Sequence, residues 1–175
     1  WYGNFVQAEL TEILSSLNGI YAPYGRGNTT SSPIIALGES WAYYLGHFLT
    51  NRKYGVNSGQ FIDQGIAYKN NNQVPGLTSN LNLLEDFDPR LSVVNPFYWI
   101  PFGLFYDLND PRNDNTEIPF RLPLNDNVSS YLNQQMFNAL DADINSLQAY
   151  KIRLLNENAN RDAAGVNTIF TFYAY

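Results

Sequence analysis

The segment from Ser32 to Gly55 constrains the fold more than any other part of the chain. Ser32 is a favoured N-cap residue, Pro33 suits the first helical position, and Gly55 suits the position after a helix end. Arg52 and Lys53 lie where cations interact favourably with the helix dipole. These signals predict one central helix that runs to residue 54. Its main apolar stripe is Ile34, Leu37, Trp41, Leu45 and Phe48, and we expect Trp41 and Phe48 to be deeply buried.

A ladder of small residues follows a second side of the same helix. Gly38, Ala42 and Gly46 are four residues apart, and Ile35 and Leu49 lie in the same sector. A glycine inside a helix costs about 1 kcal/mol relative to alanine, so two of them predict the close approach of another helix. The helix is therefore apolar nearly all round, which indicates burial on more than one side.

Glu39 lies nearly opposite the main stripe, at about 100° per residue. On one interpretation its carboxylate faces water. On the other it borders a helix–helix contact, where it must be paired, protonated or bound to a metal. The apolar residues on either side of Glu39 favour the second interpretation.

Helical periodicity recurs along the rest of the chain. Apolar residues that alternate between four and three positions apart predict a helix over 5–17. Ser129 or Ser130 can cap a later helix, with a break expected at residues 141–145. Ser146 can then cap another helix. Two short helical pieces are expected at 59–69 and 81–87, and one within the aromatic segment 96–111. The tail at 167–175 is expected to dock in extended form. The first stripe is Val6, Leu10, Ile13 and Leu17.

These elements predict a single, mainly α, irregular helical domain over residues 1–175, with no internal repeat and no interdomain linker. A formal net charge of −6 and the lack of a basic cluster argue against nucleic acid or an anionic membrane surface as partners. No apolar run approaches the ~20 residues that a membrane-spanning helix needs. With no cysteine, disulfides and cysteine-based zinc sites are excluded.

The stretch LGESWAYYLG, residues 37–46, resembles the downstream glutamate helix of gluzincin-type zincin metallopeptidases. The chain is also similar to secreted or lipid-anchored zincin-type proteins of Bacteroidetes through WIPFGLFYDLND, VSSYLNQQMFNAL, INSLQAYKIRLL and the aromatic tail. The resemblance implies the C-terminal subdomain of a zincin-like peptidase that acts on peptides, with Glu39 as the third zinc ligand. Acidity, few lysines and many asparagines and tyrosines fit an extracellular or cell-envelope protein.

The chain departs from that family in one large respect, because it contains no HExxH motif. The chain starts at Trp1, and its only methionine is Met136, so we expect it to be the later part of a longer protein. The resemblance implies an HExxH helix just upstream of WYGNFVQAEL, seated against Gly38, Ala42 and Gly46. We therefore expect zinc in the full-length protein, and neither bound zinc nor activity in this chain. The vacated face should be covered by a second copy, by a rearranged N-terminal segment near Trp1, or by a neighbouring molecule in a crystal.

Two further residues of the central helix are candidates for catalytic roles. Tyr43, one turn from Glu39, can donate to an oxyanion or orient Glu39, and equally suits simple packing. His47 is the only histidine and lies about 12 Å along the axis from Glu39, too far to share an ion with it. A substrate-facing role for His47 and a purely structural one both stay open.

Two rival functions remain at this point. One is a non-catalytic module of the bacterial surface, whose aromatic residues stack on sugars. The other is a degenerate zincin that keeps the fold without catalysis. The gene sequence before Trp1 separates the peptidase from both rivals. An HExxH within about 30 residues upstream supports the peptidase, and its absence supports the rivals. Glu85, Asp86 and Asp88 lack calcium-loop spacing and are interpreted as a solvated turn.

Overall fold

A computed structural model of the protein describes residues 1–15, 27–55, 84, 99–110, 124, 127–128 and 130–175. The helical piece predicted at 59–69 and the acidic group at 85–88 lie outside these residues, as does the piece predicted at 81–87 except for residue 84. Six helices are present in the described part. They are α1 (Tyr2–Ser15), α2 (Ser32–Tyr54), α3 (Leu104–Asn109), α4 (Asn133–Asn138), α5 (Leu147–Glu157) and α6 (Ala163–Phe172).

The predicted fold class is confirmed as mainly helical, with no strand among the described residues. Helix α2 is the longest of the six described helices and contacts α1, α3 and α5. It ends as predicted at Gly55, whose backbone adopts φ +103° and whose N–H donates to the Asn51 carbonyl. The predicted N-cap is wrong by one residue. Ser31 occupies that position without a side-chain cap, while the Ser32 hydroxyl accepts from the Thr29 N–H.

The main core forms where α2, α3, α5 and α6 meet, and Phe105 of α3 lies at its centre. The Phe105 ring meets the rings of Trp41 and Tyr150 edge-on, each at 5.1 Å between centroids. This is a favoured aromatic geometry. The deep burial predicted for Trp41 is confirmed at 7% exposure. The same prediction for Phe48 is wrong, because Phe48 lies nearer the end of α2 and is only half-buried.

Helix α5 follows the predicted pattern closely, whereas the predicted start of α4 is wrong, because α4 begins at Asn133 and its N-cap position is held by Leu132 instead of Ser129 or Ser130. Residues 141–145 interrupt the helical path, and the Ser146 hydroxyl then caps α5 by accepting from the Ala149 N–H at 3.2 Å. The three residues predicted to point inward from α5 are all completely buried, and Met136 is the buried residue of α4. The three are Leu147, Tyr150 and Leu154.

The C-terminal tail differs from the prediction, because most of it is helical. Helix α6 runs to Phe172 and buries Val166, Ile169 and Phe170 against the core. Aromatic and β-branched residues favour extended structure locally. Burial of one helical face against α3 and α5 outweighs that preference here.

Candidate functional site at the α1–α2 seam

Helix α1 packs on the Gly38 end of the small-residue ladder and runs antiparallel to α2. Phe5 lies on Gly38, where an added Cβ would collide with the Phe5 ring. About two turns later, Glu12 accepts a 2.5 Å hydrogen bond from the Thr29 hydroxyl, just before α2 begins. The close helix approach predicted from the glycines is thus present at Gly38.

The face of α1 that turns towards α2 is not the predicted one. Ala8 and Glu12 are buried, while Leu10 and Ile13 of the predicted stripe are 47% and 36% exposed. The inward stripe is Trp1, Phe5, Ala8 and Glu12, which has the same helical spacing as the outward one. The absence of a side chain at Gly38 admits the Phe5 ring and so selects this face.

Three carboxylates lie along this seam, and Glu9 interacts electrostatically with both Glu12 and Glu39. Burial is the larger cause and the neighbouring negative charge of Glu9 the smaller one, and together they raise the pKa of Glu39 to about 7. Burial also raises the pKa of Glu9, with the charge of Glu12 as the second cause. Among the described residues, the buried Oε1 atom of Glu9 has no hydrogen-bond partner. The seam therefore holds acidic groups that are poorly hydrated and mutually repulsive.

Glu9 and Glu12 were not predicted as part of the site. Their spacing of three residues places both on one side of α1, which is a signal the sequence does contain. This spacing indicates a shared site only when that side of α1 is known to face α2. Glu39 itself was identified correctly as a carboxylate that borders a helix–helix contact, since it is half-buried beside Glu9.

The other two candidate residues lie against α3 and the segment before it. The Tyr43 ring packs on Phe102 with 4.3 Å between centroids. His47 is 6% exposed, meets the Tyr106 ring edge-on, and has its Nε2 atom 2.8 Å from the Asn51 amide nitrogen. These contacts are those of packed side chains, and they differ from the carboxylate surroundings of Glu39.

Within the described ranges, no three histidine, cysteine, aspartate or glutamate side chains are grouped so that they could hold a metal ion. In the same residues, no helix combines the length and the apolar character required to cross a bilayer.

Comparisons with protein-family models, curated proteins and solved structures find no match to this chain. The candidate function therefore depends on the seam and on the sequence resemblance.

Proposed function

We propose that this chain is part of an extracellular or cell-envelope zinc metallopeptidase of the gluzincin type, and that Glu39 is its third zinc ligand. One observation carries the proposal. A half-buried carboxylate, whose pKa is raised to about 7, lies beside a second carboxylate at a helix–helix seam. Such a group is stabilised by a proton or by a cation, and a zinc ligand is the second case.

The charges of the two helices support a cation from elsewhere. Residues 2–15 contain two glutamates and no basic residue. The basic residues Arg52 and Lys53 of α2 lie 13 and 14 positions after Glu39, which is about 20 Å along the axis. Neither helix therefore offers a basic side chain close to Glu39 along its own axis.

Glu39 alone does not make a zinc site. Catalytic zinc takes three protein ligands and keeps one position open, where the metal lowers the pKa of bound water towards ~7. The described residues supply one such ligand, and we propose that the other two come from a helix upstream of Trp1, as the resemblance implies. No catalytic step is assigned to this chain, and the roles of Tyr43 and His47 stay predictions.

The open half of the ladder suits such an upstream helix. The Gly38 end is covered by Phe5, as expected if the segment near Trp1 covers this face, so only the remainder of the ladder is exposed. Ala42, Gly46 and Leu49 remain exposed beyond the first turn of α1, and a Cβ at Gly46 would meet no other atom. A helix that enters α1 from upstream would run along these residues. In its absence, we propose that the same residues support self-association.

Zinc content tests the ligand assignment directly. In the longer protein with its natural upstream sequence, we expect one zinc per chain, and a loss of affinity of about 100-fold or more in Glu39→Ala. Glu157→Ala is the control, because Glu157 is a surface partner of Arg153 on α5, and its zinc affinity should be unchanged. The 175-residue chain should lose zinc on dialysis against a weak chelator.

Three results would contradict this proposal. They are normal zinc affinity in Glu39→Ala, stoichiometric zinc retained by the 175-residue chain, and a natural upstream sequence without HExxH. The last result would favour the non-catalytic alternatives, whereas the first would remove Glu39 from the site and leave the peptidase assignment open.

A further inference from the structure

We draw no further inference here: the strongest candidate, the outward apolar face of α1 formed by Tyr2, Leu10, Ile13 and Leu14, carries nothing because no feature of the described residues shows what covers it.

Discussion

The α1–α2 seam and the core around α5 bury polar groups in opposite ways. In the core, the hydroxyls of Tyr131, Tyr150 and Tyr173 are buried and donate to the Arg161 carbonyl, the Met136 carbonyl and the Asp107 carboxylate. In the seam, the charged group that raises the pKa of Glu9 is Glu12, and the charged group that raises the pKa of Glu39 is Glu9. A neutral donor with an acceptor can stabilise a fold, whereas two adjacent acids need a proton or a cation.

The two regions therefore differ in how their buried polar groups are stabilised. In the core, the buried tyrosine hydroxyls each have an acceptor, which is typical of a structural role. The seam retains an electrostatic cost that a better-paired or apolar residue would avoid, which is typical of a site that binds something. Substitutions in the two regions should therefore change the free energy of unfolding in opposite directions and by different amounts.

The largest effect is expected at the centre of the core. Phe105→Ala removes a fully buried ring that contacts Trp41 and Tyr150, and should reduce the free energy of unfolding by about 3–5 kcal/mol. Phe137→Ala is the matched control, because Phe137 is 59% exposed, and should cost about 1 kcal/mol or less. Urea denaturation measures both. Equal losses in the two variants would show that the core is not centred on α3.

The next effect concerns the fit of α1 on α2. Gly38→Ala introduces a Cβ that collides with the Phe5 ring and should destabilise the protein by about 1–3 kcal/mol. Gly46→Ala is the control on the same helix, because the space around Gly46 is open, and should stabilise by up to about 1 kcal/mol.

A double-substitution cycle sharpens this test. Adding Phe5→Ala to Gly38→Ala removes the collision, so the pair should lose less stability than the sum of the two single changes. Additive losses, or the same response at both glycines, would contradict the observed packing of α1.

Above neutral pH, replacing Glu39 should raise the free energy of unfolding, whereas replacing a core residue lowers it. Its pKa is about 7 in the folded chain against an ordinary 4.5, so the folded state holds the proton more tightly and stability falls as pH rises between these values. The full shift corresponds to about 3 kcal/mol, and solvent screening of the half-buried group reduces this to about 1–2 kcal/mol.

Glu39→Gln removes this penalty. The variant should match the natural chain near pH 4.5 and exceed its free energy of unfolding by about 1–2 kcal/mol at pH 8. Glu157→Gln is the control, because it affects only an ion pair with Arg153 at 3.7 Å, for which less than about 1 kcal/mol is expected. Chemical denaturation across this pH range provides the measurement, and a constant difference between the chains would count against a titrating Glu39.

The smallest effect contrasts two helix starts. Ser146→Ala removes the hydroxyl that caps α5 and should cost about 1 kcal/mol. Ser31→Ala is the matched control at the start of α2, where the serine makes no capping hydrogen bond, and should change little. Thermal unfolding of the two variants tests this difference. A larger loss at Ser31 would reverse the assignment of the two caps.

Local signals in the sequence were enough to define several elements. The extent of α2 follows from Pro33 near its start and Gly55 after its end, and both act through backbone dihedral preferences that do not depend on distant residues. The Ser146 cap is similarly local. The apolar spacing of α5 identified its buried face because it has one apolar stripe, with Leu147, Tyr150 and Leu154 all inward.

Tertiary structure decided the rest, because helical spacing identifies a face without naming its partner. Helix α1 has two stripes of equal spacing, and Gly38 on another helix admits the Phe5 ring, so that Glu9 lies beside Glu39. The tail became helical through burial against α3 and α5, which no local preference indicates. The sequence by itself thus identified Glu39 as an unusual carboxylate, and the packing of α1 supplied its acidic neighbours.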